Sequence, residues 1–312
     1  MSDHGFSLRL PSPPDPLDGE GRAPTRLRYE DVAQDGRVML ATLPVGLGDA
    51  VWRSNLAQHP LRESLLSEGV VPILTRLVID ATPGPFGIEA PLQSHGRFAF
   101  AHSVDETGAV DRLHLNMWVD LAGSRGRVWD PQPDGAGETI PAGRVFAEHV
   151  LTRLFAPPEQ RKVRSVPGLG PDGVPAARYA PRPFPRIIEL PAGARPLDDR
   201  MRIESPAFVF GLMHSDNNQH VNSLVYPRVF EEFVGRRLAS LGIDRPVLAR
   251  ALEIGFRKPC FAGDRVHIAM QAYELDGAYG AVGVFVNAAE ASDDASLGRA
   301  RPHAYVWMRA EH

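Results

Sequence analysis

Cysteine is nearly missing from this sequence: Cys260 stands alone, so an intramolecular disulfide cannot form and a site of four thiolates is excluded. So few thiols suit a reducing compartment, and a cytoplasmic location is expected. Long apolar runs are missing too. No stretch reaches the ~18 uninterrupted apolar residues that a membrane-crossing helix needs, so no membrane association is expected. The N-terminus carries Asp3 and three prolines before Pro16 without an apolar run of seven, and does not read as a secretory signal. There is no basic stripe. The longest basic cluster is Arg161-Lys162 with Arg164 nearby, and 34 Lys+Arg against 38 Asp+Glu leave a net charge of −4, so no nucleic-acid partner is expected. What remains, 43% hydrophobic and 23% charged residues, is the composition of a globular protein. The 312 residues are about twice a usual domain, which predicts two domains or one tandem duplication.

Proline and glycine mark the organisation. Residues 1–26, rich in Pro, Gly and Asp, bury too little apolar surface to offset the entropy of ordering and are expected to form a disordered arm. A second punctuated stretch, 157–185, holds Pro157, Pro158, Pro167, Pro171, Pro175, Pro181, Pro183 and Pro185, a spacing that excludes helix and central strand. As a linker it leaves domains at 27–156 and 186–312. In the second domain the spacing predicts a helix over 221–241, with Val221, Leu224, Val225, Val229, Phe230, Phe233, Val234 and Leu238 spread around much of its circumference, as in a helix wrapped by sheet. Alternating runs around 266–271, 282–286 and 304–308 predict antiparallel strands, an α+β layout. The first domain repeats the order loosely, with a strand at 38–43, a helix over 50–67 and strands near 70–81, 97–104 and 113–121. Pro91, Gly96, Arg97 and Phe98 echo Pro259, Gly263, Asp264 and Val266, an echo that duplication or shared turn chemistry would equally produce.

The densest polar cluster is His214-Ser215-Asp216-Asn217-Asn218-Gln219-His220-Val221-Asn222-Ser223-Leu224-Val225-Tyr226, where a strand hands over to the predicted helix. Asp216, Asn218 and His220 alternate ahead of the first full turn, so their side chains can converge, whereas a regular helix separates i and i+2 by about 200°. Free backbone N–H groups at a helix start can polarise a carbonyl or hold an oxyanion. The bland reading is capping, since Asp and Asn at this position accept from such N–H groups in many proteins.

The pattern Asp216-x-Asn218-x-His220-Val221-Asn222 with Tyr226 resembles the signature of the hotdog acyl-thioesterases, especially the plant and bacterial acyl-ACP thioesterases, over about residues 203–275. The resemblance implies a tandem (double) hotdog, each domain a long helix wrapped by an antiparallel β-sheet, with catalysis in the C-terminal domain. It also implies acyl-ACP or acyl-CoA as substrate and no cofactor. By the same resemblance Asp216, Asn218 and His220 are the catalytic residues. A carboxylate can orient or deprotonate water, an amide can fix its partner, and an imidazole can donate to the carbonyl or take up a proton. Asn222 reads as a helix-orienting residue, with Tyr226 and Cys260 in support. One departure stands out. Where that family has a Glu-Cys pair, this chain has Pro259-Cys260, so the carboxylate role passes to Asp216, to Glu253 or Asp264 in shifted register, or is absent; Asp216 is the choice made here.

The expected function is hydrolysis of acyl thioesters. Two alternatives use the same residues: an acyl-thioester-binding protein without turnover, and a β-hydroxyacyl hydratase or dehydratase. Cys260 as a nucleophile with His220 and Asn218, and a metal held by His214, Asp216 and His220, fit less well, and no metal is expected. Asp264 suits a tight turn, and His59, His95, His102 and His114 have no ligand spacing. The first domain has no counterpart of the polar run. It supplies packing alone, or also the wall of an acyl tunnel. Two fused hotdogs satisfy their pairing internally, which leaves monomer and homodimer both open.

Overall fold

In the computed structural model, which describes residues 10–291 and 293–312, the chain separates into two units, Leu10–Pro181 and Arg182–His312. Each combines antiparallel strands with helical segments, so the class is α+β.

The first unit is built from β1 (Gly19–Thr25), β2 (Val71–Ala81), β3 (Leu92–Val104), β4 (Val110–Ser124) and β5 (Thr139–Thr152), in the order β1-β3-β4-β5-β2 with every neighbour antiparallel. The disordered arm expected over 1–26 is corrected in its described part. Gly19–Thr25 pairs with β3 at the sheet edge, and Trp118 Nε1–H donates to Pro11 O at 2.6 Å. Ladder pairing needs backbone, not apolar side chains, and the glycines serve close approach: a Cβ at Gly21 would sit 2.8 Å from Ala50 O. Residues 1–9 of that arm lie outside the described residues.

Two further expectations fail in this unit. Residues 38–43 are no strand; they form a buried 3-10 turn, Leu40–Thr42, after a single bridge from Val38 to Val32. A short apolar run marks burial and does not by itself choose the backbone shape. The helix over 50–67 is broken. The chain passes through α1 (Val45–Leu47), a wide π-turn at Gly48–Arg53, a 3-10 turn at Leu56–Gln58 and α2 (Leu61–Ser67). Asn55, at φ −133° and ψ −66°, leaves helical space, and Pro60 opens α2 where a missing N–H costs nothing.

The expected linker is no free tether either. Val163, Val166 and Leu169 are buried, Tyr179 donates to Glu148 Oε2 at 2.6 Å, and the division between units falls after Pro181. Proline bars ladder hydrogen bonds without barring burial of the side chains between prolines.

Burial holds one titratable group of this sheet in its neutral form. His149 on β5 lies edge-on to Trp52 at 5.5 Å, its Nδ1 is 3.3 Å from Leu115 O, and burial pulls its pKa from 6.5 down to about 4. Between those values the unfolded chain binds a proton that the folded one does not, so stability falls as pH drops from 6.5 towards 4, by about 3 kcal/mol from this group. Urea unfolding at pH 7 and pH 4.5 checks this: His149→Leu should show a smaller loss between the two pH values than the parent protein, and equal losses refute it.

In the second unit, β6 (Arg195–Pro196), β7 (Arg202–Ile203) and β8 (Phe208–Val209) precede α3 (Val225–Ser240), followed by β9 (Leu248–Phe256), β10 (Arg265–Leu275), β11 (Ala278–Asn287), α4 (Asp294–Leu297) and β12 (Ala304–Glu311). The sheet runs β9-β12-β11-β10, and the three short strands all pair with β10. Asp276 and Gly277, at φ 52° and 77°, make the two-residue turn between β10 and β11. The helix starts four residues later than 221, because 221–224 belong to the preceding loop. Its buried residues, among them Tyr226, Phe230, Phe233 and Leu238, occupy one side, while Arg228, Glu232, Gly235 and Arg236 are exposed. The sheet therefore covers about half of the helix.

Strand alternation separates two layers in this sheet. Phe256 and Phe285 meet Tyr226 of α3, with ring centroids at 5.5 and 5.2 Å. Ala251, Tyr305 and Trp307 cluster on the opposite face with Ile187, and a Cβ at Gly255 would lie 2.6 Å from the Phe184 ring. Among the described residues, no helix is long and apolar enough to cross a membrane.

Candidate active site at the start of the long helix

The polar run forms a small hairpin loop leading into α3. Ser215 bridges Val221, Asp216 N–H donates to His220 O at 3.2 Å, and Gln219 N–H donates to Asp216 O at 2.9 Å. Gln219 takes φ 65°, which reverses the chain at the tip. Asp216 is the hub. Its Oδ1 accepts Asn218 N–H at 2.8 Å, and its Oδ2 accepts the Asn222 side-chain amide at 2.9 Å. Asn222 then fixes the helix start: its Oδ1 accepts Leu224 N–H at 2.8 Å, its backbone carbonyl accepts Val225 N–H at 3.0 Å, and its own N–H donates to His214 O at 2.9 Å.

The expected convergence of Asp216, Asn218 and His220 side chains is only partly present. The backbone of Asn218 meets Asp216, but its side chain is exposed and makes no hydrogen bond among the described residues. His220 is half-buried, with Nδ1 3.2 Å from Val221 O. A carbonyl oxygen only accepts, so Nδ1 carries the proton and the neutral ring presents a lone pair at Nε2. The three residues share one loop without hydrogen bonds among their side chains. Extended chain alternates side chains, but a turn at 216–219 splays them. Helix-start donors are also scarcer than expected, since Leu224 and Val225 are already paired with Asn222 and residue 227 is proline.

Below the loop, Tyr226 is buried among Phe210, Phe256 and Phe285, and its hydroxyl accepts Cys260 N–H at 3.1 Å. Burial raises the phenol pKa well above its ordinary value. Cys260 O in turn accepts Val221 N–H at 2.8 Å, which ties the loop to the turn before β10. The Cys260 thiol is buried, and its pKa is pushed up to about 11 by that burial. A nucleophile needs the thiolate, so the environment works against that role. His214 is a structural residue, accepting Gly211 N–H at 2.9 Å beside the rings of Phe208 and Phe210. Among the described residues, no three His, Cys, Asp or Glu side chains are arranged to hold a metal ion.

The shifted-register carboxylates are spoken for. Glu253 shares a strand face with Ala251, away from Tyr226, and is buried 3.5 Å from Arg182. Asp264 closes a turn, its Oδ2 accepting Phe261 N–H at 2.8 Å. Of the carboxylates weighed for the reaction, Asp216 is the one on the loop. Asn222, expected as a helix-orienting residue, ties Asp216 to the helix start, and Asp and Asn are residue types that cap such a start.

The larger of two hollows within the first unit lies beside the broken helix. It has a volume of about 270 Å³ and is walled by apolar side chains of the broken helix and of β2, β3 and β4, with His59 and Arg62 at its lining.

Neither a protein-family model nor a curated protein matches the chain. Solved structures do. A protein of Lactobacillus plantarum assigned as an oleoyl thioesterase aligns over 94% of this chain and 96% of its own, with TM-score 0.58 at 16% identity. An acyl-ACP thioesterase from Bacteroides thetaiotaomicron aligns over 94% and 97%, with TM-score 0.51 at 13% identity. The likeness is one of fold. At such identities it extends to the arrangement of strands and helices, and chemistry has to be argued from this chain's own residues.

Proposed function

We propose that this protein hydrolyses acyl thioesters, RC(O)SR′ + H2O giving RCOOH and HSR′, and that its two units are a tandem pair of hotdog domains. The observation that carries the reading is the Asp216 carboxylate. It is held at the mouth of α3 by Asn218 N–H and Asn222, two partners for about four lone-pair positions, so acceptor capacity remains for a water. In the proposed reaction Asp216 takes a proton from that water as the oxygen attacks the thioester carbon. The tetrahedral oxyanion then collapses with loss of the thiolate, which recovers the proton. His220 offers Nε2 as a second proton acceptor and, once charged, as the donor to the departing sulfur. Asn222 positions Asp216 and the helix start together. Asn218 orients the carboxylate through its backbone.

The carrier is an acyl carrier protein or coenzyme A, and no cofactor enters the balance. A cytoplasmic setting belongs to the proposal, because a lone buried thiol suits a reducing compartment. The test is a panel of acyl-CoA and acyl-ACP substrates from butyryl to stearoyl with a free-thiol readout. Turnover of about 1–10³ s⁻¹ on at least one member is expected. Tight binding without thiol release would make the protein a binder, and loss of enoyl absorbance with crotonyl-CoA without release of free thiol would make it a hydratase; either outcome rejects hydrolysis.

A further inference from the structure

The end of the second unit that carries the polar loop also leaves large apolar side chains in solvent. Leu212 is 83% exposed and Met213 89%, both on the 3-10 turn Leu212–His214, with Phe261 at 50% and Val209 at 48%. These residues share one place. Phe210 N–H donates to Asp264 O at 3.0 Å and its carbonyl accepts Gly263 N–H at 2.7 Å, so the chain around Phe210 runs beside the turn that holds Phe261. A second pair of bonds joins the same two segments: Asn222 N–H donates to His214 O at 2.9 Å and Val221 N–H to Cys260 O at 2.8 Å, so the residues next to Met213 and Phe261 are held by adjacent positions of the loop. Single exposed apolar residues are ordinary on a surface, but several gathered at two neighbouring turns mark a place where a partner would relieve the cost of hydration.

Two cations beside them are unspent. Arg265 lies opposite Val209 in the ladder between β8 and β10, so the two side chains share a face, and Arg257 precedes Phe261 by four residues. Both arginines are exposed and make no ion pair among the described residues. The carboxylate of the same turn, Asp264, already accepts Phe261 N–H at 2.8 Å. A two-fold contact between copies centred here would bring the arginines of both into one interface, a gathering of like charge. An anionic lipid surface answers both features, because apolar tips enter the boundary of head groups and acyl chains while the arginines stay at the phosphates. The want of long apolar runs bars a crossing helix and leaves such contact open.

We propose that this end of the second unit docks on an anionic lipid surface, with Leu212, Met213 and Phe261 entering the interface and Arg257 and Arg265 at the lipid phosphates. The surface uses residues of the second unit alone and stands whether or not Asp216 performs hydrolysis.

Sedimentation of the full chain with vesicles of phosphatidylcholine alone, and of phosphatidylcholine with an equal share of phosphatidylglycerol, tests it. The mixed vesicles should bind at least about tenfold more tightly, a margin that shrinks as salt is added. Leu212→Ser combined with Met213→Ser should weaken binding to the mixed vesicles by about tenfold or more. Arg257→Gln combined with Arg265→Gln should remove most of the preference for the anionic lipid, with circular dichroism showing both variants folded. Asp216→Ala should bind vesicles like the parent, which separates this result from the fate of the hydrolase reading. Absence of vesicle binding, equal affinity for the two compositions, or indifference to the Leu212 and Met213 changes would each overturn the assignment. So would self-association, or binding of a soluble acidic protein, that those changes abolish while vesicles stay unbound, since the patch would then belong to that partner.

Discussion

Asp216→Ala is expected to lower kcat for acyl-thioester hydrolysis by about 10²–10⁴-fold, the range a positioned general base contributes. The protein should otherwise remain folded. Asp216 sits half-exposed on a loop, and its removal forfeits two hydrogen bonds, to Asn218 N–H and the Asn222 amide, at about 1 kcal/mol each. Asp216→Asn separates chemistry from architecture. The amide keeps an oxygen for Asn218 N–H, cannot take a proton from water, and turns a donor towards the Asn222 donor. Its kcat should fall as far as that of the alanine variant. Thiol-release kinetics beside far-UV circular dichroism decide the matter: a folded Asp216→Ala protein that keeps half its turnover would remove the carboxylate from the mechanism.

Phe230→Ala is expected to cost about 3–5 kcal/mol of stability, the largest effect foreseen for one substitution here. The ring is fully buried on α3, 6.3 Å from that of Phe285, and a Cβ on Gly283 would come within 2.8 Å of it. Gly283 leaves room for the ring, so its loss opens a void that the helix cannot close by shifting: neighbouring Tyr226 is tied through its hydroxyl to Cys260 N–H. Chemical unfolding followed by circular dichroism should show the midpoint moving to lower denaturant. A change under about 1 kcal/mol would mean that α3 is not the centre of the second core.

The second unit was legible where local chemistry and packing agree. Alternation at 266–271, 282–286 and 304–308 lies inside β10, β11 and β12, and the run free of glycine and proline apart from Pro227 and Gly235 contains α3. β9 was missed as a strand because its side chains are buried on both faces, so polar alternation is lost. In the first unit the pattern misled. Residues 50–67 have helical apolar spacing, but the chain breaks at Asn55 and Pro60, and the apolar run at 38–43 is a buried turn. Composition misled at the prolines and glycines: Gly19–Thr25 joins the sheet through its backbone, and 157–181 folds onto the first unit.

By itself the sequence determined where Asp, Asn and His gather ahead of a helix, because that cluster is a local signal carried by a few adjacent positions. It also determined the α+β class, through periodicities that each element expresses alone. Only the tertiary structure decided which carboxylate stands on the loop, since Glu253 and Asp216 carry the same carboxylate group and differ in burial and partner. It alone decided that Asp216 pairs with Asn222 and not with the side chains of Asn218 or His220, and that a broken helix leaves a cavity beside Arg62. Those outcomes depend on which distant segments meet, and contacts between residues far apart in the chain leave no periodicity to read.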